Sequence, residues 1–192
     1  ALSIFVGTRN GGYVVSSTGD ADGLAPQPLL ALLHRTIYAM LYVPAWRQLL
    51  VSTRGRVLVM SYRTNPISAA VVGDTEPSSV RHEWVGANLD HHVLGFSLSE
   101  DPTSASDGSE GASLCVWLVQ KESLHRLTQE GQLWRKGFQQ GAVVNNLTSV
   151  VVTGSGRFVW ATSSSGGVMR YDVVRDRWNL FISERYMPSE AP

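Results

Sequence analysis

The stretch Gly156-Arg157-Phe158-Val159-Trp160-Ala161-Thr162-Ser163-Ser164-Ser165-Gly166-Gly167-Val168-Met169-Arg170-Tyr171-Asp172 decides the fold. An apolar run (Phe158, Val159, Trp160) meets a Ser/Gly break at residues 163–167. A second run (Val168, Met169, Tyr171) follows and closes at Asp172. Two short apolar runs joined by small turn residues read as a β-hairpin. Two other stretches have the same form: residues 4–15, IFVGTRNGGYVV, and residues 49–60, LLVSTRGRVLVM. Each is apolar, then Thr (Thr8, Thr53, Thr162), then a turn, then apolar again. A fourth copy is expected at residues 92–100, HVLGFSLSE, with Ser97 in the threonine's place and SLCVWLV (residues 113–119) as its delayed second strand.

Thr8 and Thr53 are 45 residues apart, and Thr53 and Ser97 are 44 apart. A period of this length is that of propeller blades with four strands each. One such sheet cannot bury both its faces alone, so several must stack around an axis. The expectation is an all-β chain forming a β-propeller or partial propeller of about four four-stranded antiparallel blades. A β-sandwich with hairpins of similar length is the alternative. The first copy enters without its innermost strand.

The strands follow from the pattern. Residues 36–47 supply a first strand that must stop at Pro44, because proline cannot donate to a ladder. QLLVST, RVLVMSYR and SVRHEWV (residues 79–85) continue that blade. In the last repeat, LTSVVVTGSG, RFVWATS, GVMRYDVV and RWNLFIS follow the same order, with Gly154 and Gly156 supplying a turn. PLLALLHRT (residues 28–36) and KESLHRLTQEGQLW (residues 121–134) read either as short helices or as outer strands.

Residues 1–192 are expected to form one propeller-like domain, a piece of a longer chain, since they lack an initiator Met and a signal-type basic start. Residues 101–111, polar and without an apolar anchor, are expected to be a flexible inserted loop.

Composition narrows the function. Sixteen basic and sixteen acidic residues give no net charge, which argues against a nucleic-acid or membrane surface. No apolar run approaches the roughly 20 residues of a membrane helix. Cys115 is the only cysteine, so the chain has no internal disulfide and no cysteine-based zinc cluster. That favours a reducing, cytoplasmic setting; Asn146-Leu147-Thr148, an N-glycosylation sequon, keeps an extracellular alternative open.

Several residue groups resemble known repeats. SLCVWLVQKESLHRL resembles the third and fourth strands of a WD40 blade, although Leu118 stands after Trp117 where the defining Asp belongs. GGVMRYDVVRDRW is similar to WD40 and to two-component-regulator propeller repeats, with Tyr171-Asp172 in the Trp-Asp place. IFVGTRNGGYVV resembles these repeats and the opening of citron-homology domains. The resemblance implies a non-enzymatic scaffold, a propeller segment presenting loops to protein partners or to another copy of itself that completes the ring. The alternatives are an extracellular ligand-sensing propeller, or an enzyme with a site at the channel mouth.

No catalytic residue, cofactor or metal is expected. Asp90, His91 and His92 sit together, but neighbouring strand residues point to opposite faces, and only His82 and Glu83 could complete a metal site. Cys115 alternates into a strand interior and reads as inert. The glycine-containing turns lack the phosphate-loop lysine. Six tryptophans are mostly core candidates, and Trp46, beside Arg47 in a turn, is the one expected to be exposed as an interface anchor. A Trp46 folded back over its blade is the alternative. Arg9, Arg54 and Arg56, with Arg63, fall near turns and strand ends and are expected to line one rim with that anchor.

Overall fold

The computed structural model describes residues 3–16, 26–62, 79–82, 92–101, 113–129, 133–137, 146–153, 156–164 and 167–183. These residues form four antiparallel sheets built from fifteen strands, with 3-10 turns as their only helical elements. The first sheet is three-stranded: β1 (Ser3–Thr8), β2 (Gly11–Ser16) and the two-residue β3 (Gln27–Pro28). The second runs β4 (Ala39–Val43), β5 (Gln48–Thr53), β6 (Arg56–Ser61), β7 (Ser79–His82). The third runs β8 (Gly95–Glu100), β9 (Leu114–Gln120), β10 (Ser123–Thr128), β11 (Leu133–Gly137). The fourth runs β12 (Leu147–Thr153), β13 (Phe158–Ser163), β14 (Gly167–Asp172), β15 (Arg177–Ser183). In every sheet each strand pairs only with its sequence neighbours, the meander that makes a propeller blade. The chain divides into two compact units, Ala1–Val93 and Leu94–Pro192, each holding two sheets.

The strands expected for the second and fourth sheets are those found, and β4 ends at Val43, immediately before Pro44. KESLHRLTQEGQLW resolves into strands, β10 inside the third sheet and β11 at its edge. PLLALLHRT holds a 3-10 turn at Leu30–Leu32 instead. That turn lies against the first sheet, where Leu29 N–H donates to Gly12 O at 2.9 Å. A Cβ on Gly12 would fall 2.5 Å from Leu32 Cδ1, so any larger residue there would push the Leu32 side chain aside.

Ser97 does not stand in the threonine's place. Thr8, Thr53 and Thr162 lie at the ends of β1, β5 and β13, strands that each lead into the next by a tight hairpin. Ser97 sits inside β8, the first strand of its sheet, and faces Trp117 on β9. The matching tight hairpin of the third sheet is β9–β10, where Gln120 pairs with Ser123 across a two-residue turn. The stretch after residue 101 therefore separates the first and second strands of that sheet. Residues 102–111 of the expected loop lie outside the described residues. Asp101 itself is 8% exposed and is tied to Ser113 by a backbone bond of 2.6 Å.

Each unit has its own core. In the first, Leu49 and Val51 of β5, Leu58 and Met60 of β6, and Leu29 and Leu32 are buried together. In the second, Cys115, Trp117 and Val119 of β9 meet Val150, Val159, Ala161, Met169 and Tyr171 of the fourth sheet. Alternation sends these side chains inward from both sheets, so two blades pack face to face.

Candidate functional site

The residues expected to mediate interaction fall in the first unit. Pro44–Trp46 form a 3-10 turn, closed by Arg47 N–H donating to Pro44 O at 3.1 Å, with Arg47 in the left-handed region at φ 51°. Trp46 is only 7% exposed. It folds back over its blade, and the exposed anchor expected from its turn position is absent. Arg47 is exposed beside it. Arg54 and Arg56 are exposed at the β5–β6 turn, and Arg9 is exposed at the β1–β2 turn. Successive turns of a meander lie at opposite ends of the sheet. The six residues of β5, about 3.3 Å each, therefore separate Trp46–Arg47 from Arg54–Arg56. The structure brings Arg54 and Arg56 together and does not join them to Trp46. Arg63 lies outside the described residues, as do Asp90, His91 and Glu83. His92 stacks its ring on Tyr38 at 3.9 Å. Among the described residues no group of three or more His, Cys, Asp or Glu side chains could hold a metal ion.

Cys115 is fully buried, and loss of solvent pushes its thiol up to about 11, offset in part by the Ser99 hydroxyl at 3.5 Å. A thiol held protonated is a poor nucleophile. The folded chain should resist alkylation by iodoacetamide at mildly alkaline pH and react fully once unfolded in urea. Mass spectrometry of the two samples checks this, and rapid native modification would contradict the burial.

Ser123 Oγ and His125 Nε2 are 2.8 Å apart, a hydroxyl–imidazole contact of the kind a hydrolase uses. Both residues are almost wholly buried, and the same Nε2 lies 2.9 Å from Gln120 Oε1. The cluster ties the β9–β10 hairpin as Thr8 ties its own, where Oγ1 donates to Gly11 O at 2.9 Å.

A concave site lies in the second unit. Its cavity of about 340 Å³ is lined by Trp117, Arg126, Trp134, Lys136, Tyr171 and Asp176, with Val173. The ladder register explains the third sheet's share. Trp117, Arg126 and Trp134 are directly opposite one another across β9, β10 and β11. Lys136, two residues beyond Trp134, points to the same face. The fourth sheet adds Tyr171 from β14 and Asp176 from the following turn, where Asp176 adopts φ 50°.

The charges of the site are matched. Arg126 Nη1 donates to Asp101 Oδ1 at 3.1 Å, while its guanidinium sits 5.8 Å from both the Trp117 and Trp134 ring centres. Lys136 Nζ donates to both Asp176 oxygens at 2.7 Å and lies 5.9 Å from the Tyr171 ring. The Tyr171 hydroxyl donates to Asp176 Oδ1. Burial, then that hydrogen bond, raise the Tyr171 phenol well above its ordinary value, so it stays a neutral donor. The hydrogen bonds from Lys136 and Tyr171 hold the Asp176 carboxyl below its usual range. The rings are set at angles: Trp117 and Trp134 meet edge to face at 5.9 Å and 79°, and Trp134 leans on Tyr171 at 5.8 Å.

Sequence reading assigned these tryptophans to the core and passed over Arg126, Lys136 and Asp176. The only local signal was an arginine in register with Trp117 and Trp134 and a lysine two residues beyond Trp134, both on the inward face of the third sheet.

No protein-family model and no curated protein matches the sequence. Among solved structures, the chain is similar to the extracellular domain of a protein assigned as a hybrid two-component system from B. thetaiotaomicron. The likeness has a TM-score of 0.60 and 15% identity and covers 98% of this chain. The chain spans about a fifth of that protein's length, 21%. A chain of a nidogen–laminin complex aligns over 95% of this chain and 94% of its own, at 9% identity and a TM-score of 0.29, too low to bear on the fold. The first likeness agrees with the succession of antiparallel meanders, and together they make this an all-β chain of propeller-type blades.

Proposed function

We propose that the chain is a non-enzymatic binding segment of a larger, extracellular propeller-type sensing domain. Its aromatic cavity would take a neutral, hydroxyl-rich ring such as a sugar. One observation carries the ligand class: both cations of the cavity are already paired, Arg126 with Asp101 and Lys136 with Asp176. A charged ligand would have to break one of these pairs. A neutral ring can lay an apolar face on Trp134 and exchange hydroxyl hydrogen bonds with the pairs as they stand. The volume suits a small ligand enclosed by a few convergent polar groups.

Two observations support an extracellular setting over a cytoplasmic one: the fold likeness to an extracellular domain, and the resemblance of GGVMRYDVVRDRW to two-component-regulator repeats. The repeats are closer to that type than to WD40 or citron-homology blades, because Tyr171-Asp172 stands in the Trp-Asp place while Trp117 is followed by Leu118. The whole chain is read as one set of about four blades belonging to a longer ring.

Titration with a panel of neutral mono- and oligosaccharides, followed by tryptophan fluorescence and calorimetry, tests the reading. At least one sugar should bind, and Trp134→Ala should weaken it about tenfold or more, the scale of an aromatic anchor. Silence across the panel, or equal binding by Trp134→Ala, would remove the cavity as the ligand site.

A further inference from the structure

The two ion pairs of the cavity differ in what they can still offer a ligand. Arg126 and Asp101 are 15% and 8% exposed, and the guanidinium lies 5.8 Å from two indole rings, so this pair is the deep one. Lys136 is 20% exposed and Asp176 63%, so their pair stands at the solvent edge. It also joins two sheets, with Lys136 on β11 and Asp176 in the turn after β14. Hydrogen bonds from Lys136 and then Tyr171 fix the carboxylate and keep it ionised.

Hydrogen-bonding capacity is left over on both partners of the edge pair. Asp176 Oδ1 accepts from Lys136 and Tyr171, whereas Oδ2 accepts from Lys136 alone among the described residues. A carboxylate oxygen has room for a second donor. Lys136 Nζ faces both oxygens at 2.7 Å, which leaves its ammonium one further N–H. Nζ and Oδ2 therefore set a donor and an acceptor side by side, 2.7 Å apart. Two hydroxyl oxygens on neighbouring ring carbons lie at a similar spacing when they are gauche to each other, and far apart when both are axial and trans.

We infer that the Lys136–Asp176 pair selects a gauche vicinal diol: one hydroxyl of the ring donates to Asp176 Oδ2, and its neighbour accepts from Lys136 Nζ. This rests on the cavity being the ligand site, as proposed above, and adds which hydroxyls the site reads and which side chains read them. Lys136 and Asp176 are the specificity-determining residues, while Trp134 supplies the apolar wall. Because the pair is held in place before the ligand arrives, little ordering is left to oppose binding. A diol on both atoms also bridges the third and fourth sheets, since each sheet provides one of the two contacts.

The probes are the methyl glycosides of glucose, galactose and mannose, each beside counterparts that lack one ring hydroxyl, titrated by calorimetry. For a glycoside that binds, removing either hydroxyl of one adjacent pair should weaken binding about tenfold or more, and removing a hydroxyl outside that pair should change little. Asp176→Asn should erase the difference between the glycoside and those counterparts, and its melting temperature verifies folding. It also frees Lys136, so methyl glucuronoside, which carries a carboxylate, should bind the variant more tightly than the parent protein. Binding that Trp134→Ala weakens and Asp176→Asn leaves untouched, or equal losses for every missing hydroxyl, overturns the diol assignment while the cavity stands as the ligand site. Silence from all three glycosides overturns it too, since each offers gauche neighbouring hydroxyls, and the wider saccharide panel then decides separately whether the cavity binds a sugar.

Discussion

Trp117→Ala should lower the melting temperature by roughly 10 °C. Trp117 is wholly buried at the centre of the second unit's core. Its Nε1 donates to Ser99 Oγ at 3.1 Å, its ring meets the edge of Trp134, and Arg126 lies over it. Truncating a buried tryptophan costs about 3–5 kcal/mol, through lost transfer energy and the cavity left behind. In a chain of this size each kcal/mol moves the midpoint by about 2–4 °C. The substitution also removes one partner of the Ser99 hydroxyl, which keeps Glu100 O at 2.9 Å, and opens the floor of the cavity. Trp160→Ala, on the solvent side of the fourth sheet, should cost far less. Calorimetric scans of the two variants against the parent test the assignment, and matching losses would mean that inner and outer faces are not distinct.

The second large effect concerns Asp101. Asp101→Ala should destabilise the chain by about 3 kcal/mol, because it leaves a mostly buried guanidinium between two indole rings with no counter-charge. Asp101→Ala combined with Arg126→Met should recover much of this loss, since an apolar side chain of similar length removes the uncompensated charge. Urea titration of the single and double variants gives the coupling. An Asp101→Ala variant as stable as its parent would show that the pair is solvated. The same contact limits where residues 102–112 can be shortened: Asp101 and Ser113 must stay, because they close the base of the connection.

The strands of the second and fourth sheets were legible because alternation and turn residues agree within a few positions. β10 and β11 were ambiguous: Leu124 and Leu127 are three apart, a spacing that suits either a helix or a twisted outer strand. Ser97 misled because a hairpin looks alike wherever it sits in a sheet. Its rank among four strands is set by pairing with distant residues. Trp46 was placed by a left-handed residue at Arg47, which composition does not reveal. The cavity's charges were hidden for a related reason. Lys136 meets Asp176 forty residues further on, and Arg126 meets Asp101 twenty-five residues back. Blade stacking makes neighbours of Lys136 and Asp176, while Asp101 reaches Arg126 within the third sheet, from the connection that leaves β8.

The strict succession of strands in every sheet also governs how the chain acquires its structure. Ladder contacts close over short loops, with the longer connections after β2, β6 and β8 as the exceptions. Short closures are entropically cheap, and such hairpins form in microseconds. A sheet can therefore zip up as soon as its last strand has left the ribosome, while the following one is still being synthesised. The slow events are then the docking of finished sheets, and until docking the apolar face of each new sheet is the surface on which a chaperone would act.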